Sequence, residues 1–306
     1  MTNKIIIGSR GSQLSLAYAS FVKKKILSRG ENKKLQIQIK TIKTTGDIFP
    51  KKKMSEIGGK NFFCKEIEEK IIKKKIDIAV HSLKDMETNE NKKLVIGSYI
   101  KRNDPRDSYI SSSKIKFSKL KNSIIGTSSR RRELQLKLIN KNVSFKNIRG
   151  NVDTRVKKVL KGDFDGAIVA HAGLKILKLD KHVTEIFSKK KIIPAAGQGV
   201  IAAQCRKKDL KVSKILKGIN HYKTEICSKA EKSILKSIGG DCHTALGALA
   251  VIKKNNIIIE AELFSDDGKK SFRVKQKGKL NTSISLGNKV GIKLLKLMGK
   301  KFKKKI

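Results

Sequence analysis

Tryptophan is absent from the 306 residues, and aromatic side chains make up only 5% of them. Stacking platforms for single-stranded nucleic acid are therefore scarce. The four cysteines, Cys64, Cys205, Cys227 and Cys242, lie far apart with no C-x-x-C pair. That pattern argues against both a disulfide framework and a zinc site, so no metal is expected. No apolar run approaches the length of a membrane span, and the opening "MTNKIIIGSR" lacks a signal-peptide core or cleavage site. A soluble cytoplasmic protein is expected, with no membrane partner. Acidic residues are few, 26 against 72 basic ones, which gives a formal charge of +46. A charge of that size ordinarily points to nucleic acid or an anionic surface. Here most of it is lysine spread through every segment ("VKKKILSRGENKK", "IIKKKID", "KFKKKI") beside abundant Ile and Asn. That is the look of drift toward A/T-rich codons, and no nucleic-acid partner is expected.

The length allows two or three domains, and 38% hydrophobic residues can fill real cores. The first two-thirds alternate strand and helix. "KIIIGSR" reads as a buried strand, followed by a helix, "LSLAYASFVKKKIL", with Leu14, Tyr18, Phe21 and Val22 on one face. "LQIQIKTIKT" alternates with period two, "NFFCKEIEEKIIKKK" is helical, and "IDIAV" and "KLVIGSYI" are strands. A second cycle begins near residue 105. "NSIIGTSS" is a strand whose end supplies N-cap residues Thr127, Ser128 and Ser129 to the helix "RRRELQLKLIN". "VSFKNIRG" and "DFDGAIVA" are further strands, separated by a helix with Val152, Val156, Val159 and Leu160 on one stripe. Such alternation predicts βαβ units and parallel sheets. "PAAGQGVIAAQCR" reads as a loop before a helix, with Cys205 buried. The last third differs: a helix stopped by Gly239–Gly240, three strands with tight KKNN and DDG turns, and a final helix running into a basic tail.

In parallel α/β sheets ligands bind beyond the carboxyl ends of strands. Arg10 and Ser12 follow the first strand; His81, Ser82, Lys84 and Asp85 follow "IDIAV"; Thr127 to Arg132 follow "IIG"; Arg149, Gly150 and Arg155 follow "NI". Hydroxyls, guanidinium forks and helix N-terminal amides all suit carboxylate or phosphate oxygens. Taken singly, each has a plainer reading: a capped helix, a solvated basic face, a hydrogen-bonded histidine. Together they describe a cleft for a polyanion. Asp85 is the lone acid among these cations, suited to acid–base work or to steadying developing positive charge. Cys242 alone among the cysteines lies in a glycine-rich turn.

The ordered blocks "GSRGSQLSL", "IGGKNFFCKEIE", "DIAVHSLKDM", "RNDPRD", "GTSSRRRE", "RGNVDTR", "FDGAIVAHAGL", "PAAGQG" and "GGDCHTALG" resemble the porphobilinogen deaminase family along nearly the whole chain. The resemblance implies an α/β fold: two periplasmic-binding-protein-like lobes plus a small C-terminal α+β domain with an antiparallel sheet. Residues 1–100 and 197–218 would form the first lobe, 101–196 the second and 219–306 the cysteine-bearing domain. It implies a monomeric transferase of porphyrin and heme biosynthesis. Such an enzyme condenses four porphobilinogen molecules head to tail, with loss of ammonia, and water then releases hydroxymethylbilane. The primer is a dipyrromethane cofactor joined to Cys242 through a thioether. By the same resemblance Ser82, Lys84, Thr127, Ser129, Arg131, Arg132, Arg149, Gly150 and Arg155 would bind the cofactor. Arg10, Ser12, Arg149, Arg155 and Gln198 would bind substrate, Asp85 would be catalytic, and Lys60 and Phe63 would belong to a mobile loop over the site. The chain departs from the family pattern at Tyr18, Glu56, Glu87, Ile176, Gln204, Asp241 and Ala245. A non-catalytic two-lobed binding protein for a small carboxylate-bearing anion is the alternative; it leaves Cys242 and Asp85 without a use.

Overall fold

The structure is a computed structural model that describes residues 4–48, 63–88, 91–241, 243–299 and 302. The chain packs as two units: Met1–Arg102 with Val200–Glu225, and Asn103–Gly199 with Ile226–Ile306.

The first unit is built on a five-stranded sheet. Its elements are β1 (Lys4–Ser9), α1 (Gln13–Leu27), β2 (Gln36–Thr41), α2 (Thr45–Ile48), α3 (Lys65–Ile72), β3 (Ile78–Ser82) and β4 (Leu94–Tyr99). In the second unit follow β5 (Asp107–Ile110), β6 (Ser123–Gly126), α4 (Arg130–Lys137), β7 (Val143–Lys146), α5 (Val152–Leu160), β8 (Gly166–Ala170), α6 (His171–Ile176) and β9 (Val183–Ile186). The chain then returns to the first unit with β10 (Ile201–Arg206) and α7 (Leu210–Gly218). The remainder is α8 (Tyr222–Ser237), β11 (Leu246–Lys253), β12 (Asn256–Phe264), β13 (Ser271–Lys279) and α9 (Ser283–Met298).

The two large sheets run β2-β1-β3-β10-β4 and β7-β6-β8-β5-β9. Each is mixed rather than parallel throughout, which corrects the sequence expectation. β10 pairs antiparallel with β3 and β4, and β5 pairs antiparallel with β8 and β9. In each sheet the reversed strand is the one entered just after the chain passes from one unit to the other. β10 also corrects the reading of "VIAAQC" as a loop. Ile201, Ala202, Ala203 and Cys205 are almost fully buried there, their small side chains suited to the middle of a sheet covered on both faces. The third sheet is the antiparallel meander β11-β12-β13, paired in register from Leu246↔Leu263 to Lys253↔Asn256. Gly239, at a positive φ of 65°, ends the α8 segment as the Gly-Gly pair predicts.

Two helix faces are rotated from expectation. α1 buries Tyr18, Ala19, Val22 and Ile26, while Phe21 is exposed. α5 buries Val156 and Val159, and Leu160 faces solvent. Among the described residues no helix is long and apolar enough to cross a membrane.

Candidate active site

In the first unit, β1 and β3 are parallel neighbours, Ile7 opposite Ile78 and Gly8 opposite Ala79. Their carboxyl ends therefore lie side by side, and the residues that follow them meet. Ser12 caps α1, its hydroxyl accepting from the Ser15 amide at 3.2 Å. Arg10 donates from Nη2 to Asp47 Oδ1 at 2.6 Å and lies over the Phe63 ring, 4.1 Å from its centroid. Asp47 is partly buried, which alone would raise its carboxyl, but Arg10 and Thr44 hold it below its usual value. Arg10 is thus oriented between an acid and an aromatic face.

After β3 a 3-10 turn, Leu83–Asp85, seats Leu83 in the core and brings Lys84 and Asp85 to half-exposed positions. Several buried groups lie near Asp85. His81 is 5% exposed, and its Nδ1 is 3.5 Å from Cys64 Sγ. Burial pulls the His81 imidazole down to about 4, opposed by Gln204 and Asp85, so it is neutral near pH 7. Its Nε2 and Gln204 Oε1 both lack a well-formed hydrogen bond among the described residues. Tyr18 is 7% exposed; burial, reinforced by the Asp85 charge, pushes its phenol up to about 12 against a hydrogen bond with Ser82. Asp85 thus stands over a neutral imidazole and a neutral phenol, a floor of low polarity that strengthens its field toward a cation.

In the second unit β6 delivers "TSSRRR". The predicted trio of capping residues divides its work. Ser129 is the N-cap of α4, Thr127 Oγ1 accepts from the Ser129 amide at 3.2 Å, and the Ser128 hydroxyl donates to Asn147 and to the Ile148 carbonyl. One turn on, Arg131 and Arg132 are buried around a single acid that the sequence reading did not single out. Arg131 Nη2 donates to Asp107 Oδ2 at 2.9 Å; Arg132 donates to Oδ1 from Nε and Nη2 at 3.0 and 2.7 Å. Asp107 is fully buried, which would raise its carboxyl, but the two cations hold it well below the usual carboxylate range. Gln198, 1% exposed, closes the cluster: its Nε2 donates to Asp107 Oδ1 at 2.9 Å and to the Pro105 carbonyl at 2.6 Å.

Two guanidinium groups flank the Asp107 carboxylate, and the buried Glu262 lies close enough to act on Arg131 as well. Arg131 Nε, moreover, is buried with no hydrogen-bond partner among the described residues. A buried cation and an orphaned donor are what a carboxylate-bearing group would satisfy. Beyond β7, Gly150 takes a φ of 108°, where a Cβ would also run into Thr154. Its carbonyl accepts from Arg155 Nε at 2.9 Å. Arg149, half-exposed beside it, makes no ion pair among the described residues. Around the expected attachment point, Asp241 Oδ1 accepts from the His243 amide at 2.9 Å and from the Thr244 hydroxyl at 3.1 Å, so this acid shapes its own turn. Lys60 and Cys242 themselves lie outside the described residues, as do Glu56 and most of the basic tail. Cys64, Cys205 and Cys227 are buried.

The fold and these residues define a class: an α/β protein in which each of the two units carries arginines and hydroxyls just beyond its strand ends. The chain belongs to the porphobilinogen deaminase family. The family model described as porphobilinogen deaminase, dipyromethane cofactor binding domain, matches residues 5–214, and that of the C-terminal domain matches 225–296. The porphobilinogen deaminase of Desulforamulus reducens is 37% identical over 302 residues, covering 98% of this chain and 97% of that one. That of Coxiella burnetii is 36% identical over 295 residues, covering 96% and 95%. Among solved structures, substrate binding domain 2 of Lactococcus lactis GlnP overlaps 71% of this chain and 88% of its own, at 11% identity and a TM-score of 0.43.

Proposed function

We propose that this chain is a cytoplasmic, monomeric transferase of tetrapyrrole biosynthesis. It condenses four porphobilinogen molecules head to tail with loss of ammonia, and hydrolysis then releases hydroxymethylbilane. The observation that carries this reading is the family match along 5–214 and 225–296. Three domains, 1–100 with 197–218, 101–196 and 219–306, divide the labour.

The dipyrromethane group, joined through a thioether to Cys242, supplies the primer to which the first ring is attached. Each pyrrole carries an acetate and a propionate, so fixed cations are the first requirement. Arg131, with its orphaned Nε, and Arg132 hold cofactor carboxylates, assisted by Ser82, Lys84, Thr127, Ser129 and the Gly150 turn. Arg149 and Arg155 serve cofactor and substrate rings, and Gln198 keeps Arg132 and Asp107 in register for them. Arg10, oriented by Asp47 and Phe63, takes a carboxylate of the incoming ring, with Ser12 beside it. Asp85 faces the pyrrole N–H groups, assists departure of ammonia and steadies the positive charge that develops. Over the neutral Tyr18 and His81 that charge stabilisation is larger than it would be in water.

The test is the intact mass. Purified protein should exceed its sequence mass by one dipyrromethane, and Cys242→Ser should abolish the excess along with turnover. Active protein of unmodified mass would overturn the reading.

A further inference from the structure

Glu231 is a fully buried carboxylate in the middle of α8. Its Oε2 accepts from the Gly197 amide at 2.8 Å and its Oε1 from the Ala250 amide, in β11, at 2.7 Å. Gly197 has a positive φ of 76° and opens the turn in which Gln198 reaches Asp107. The same segment is gripped a few residues earlier. The Ile193 carbonyl accepts from Arg131 Nη1 at 2.8 Å and from Gln135 Nε2 at 3.0 Å, and the Ile193 amide donates to Gln135 at 2.6 Å. The Pro194 carbonyl accepts from the Ala248 amide at 2.8 Å. Residues 193–198 are therefore bonded on one side to the arginine helix α4 and on the other to α8 and β11. Cys242 lies in the chain between those last two elements.

We propose that Glu231 is a positioning residue for cofactor seating. Through Gly197 and Gln198 it fixes the cysteine-bearing domain in register with the Arg131–Asp107–Arg132 cluster, so that a group joined at Cys242 meets its cations without a search. The proposal rests on the proposed function for what is seated; the clasp itself rests on geometry alone. Both carboxylate oxygens are needed, because each accepts from a different buried amide. Glutamine presents an oxygen to one of them and an NH2 to the other. Aspartate keeps the charge but is one methylene too short to reach both.

The experiment compares wild type, Glu231→Gln, Glu231→Asp and Val143→Ala, the last thinning the core under β7 in the same unit, a cluster that holds no residue of α8 or β11. Hydrogen exchange is followed by mass spectrometry in the segments holding Gly197 and Ala250, at temperatures well below unfolding. Each apoprotein is also incubated with porphobilinogen and the covalent adduct counted by intact mass. Both Glu231 variants should exchange at least about tenfold faster in one or both segments and load several-fold more slowly. Val143→Ala should lower the melting temperature and leave loading unchanged. Loading of Glu231→Asp equal to wild type, or loading that tracks melting temperature across all four proteins, would overturn the proposal. If Glu231→Gln does not fold, the aspartate variant carries the comparison. A wild type that takes up no adduct sinks the proposed function, while the exchange data still judge the clasp.

Discussion

Replacing Asp107 by asparagine keeps the outline of the side chain and removes the anion between two buried guanidinium groups. In the native protein the two ion pairs span 2.9 and 2.7 Å, and neither arginine side chain is more than 7% exposed. An amide offers one oxygen and turns its NH2 toward a cation. The two guanidinium groups then lose the anion that lies between them. Removing one partner of a buried pair costs about 3–5 kcal/mol. For a folding unit of this size each kcal/mol moves Tm by roughly 2–4 °C, so a fall of about 6–20 °C is expected. The assay is calorimetry at pH 7 on wild type and Asp107→Asn. The folded carboxyl titrates below its unfolded value of about 3.9, so its contribution is complete above that pH and fades as pH falls beneath it. The penalty of the variant should therefore shrink in acid. A Tm change under about 2 °C at pH 7, or one that grows in acid, would refute the reasoning.

Three other substitutions separate structure from binding. His81 is neutral when folded, with its pKa pulled down to about 4, so the unfolded chain binds the proton first as pH falls. Stability from this group is complete above about pH 6.5 and lost on the way down to about 4, by at most roughly 3 kcal/mol; urea unfolding between pH 7 and 4.5 should be flatter for His81→Asn. Arg149→Ala, at a half-exposed site without an ion pair among the described residues, should leave stability within about 0.5 kcal/mol. In steady-state kinetics the same variant should weaken use of porphobilinogen about tenfold or more, the loss of one charged hydrogen bond. Gly287→Ala would drive a methyl group into Ser233 Oγ and the Ala230 carbonyl on α8, an overpacking worth about 1–3 kcal/mol by calorimetry.

The strands and helices whose apolar residues keep a clear period were legible in the sequence, from "KIIIGS" to the final meander. β10 was not, because "IAAQC" is short, small and almost unbranched, and its burial comes from neighbours distant in sequence. Phe21 and Leu160 fit the helical period yet face solvent, since the packing partner, not the period, decides which edge of an apolar stripe is covered. The strand-end cations were legible as residues with a taste for anions. Their anchoring was not: Asp107 and Gln198 meet Arg131 and Arg132 across 24 to 66 positions of chain. The one local hint was an acid opening the apolar strand "DSYI", where an unpaired carboxylate would be expensive. Glu231 gave a weaker hint, an acid on the apolar side of α8 beside Cys227 and Ala230.

The place of β10 also sets an order of assembly. The sheet begun by β1 lacks its fourth strand until residues 201–206 have been made, after the whole of 103–199. At ribosomal speeds of about 5–20 residues per second, that gap after β3 lasts on the order of ten seconds. Throughout it, the facing edges of β3 and β4 are open to any passing strand. The sheet from β5 to β9 is uninterrupted in sequence and can close meanwhile. Of the two large sheets, the one whose strands leave the ribosome first is therefore the second to be completed, and its open edges are exposed while the other sheet is folding.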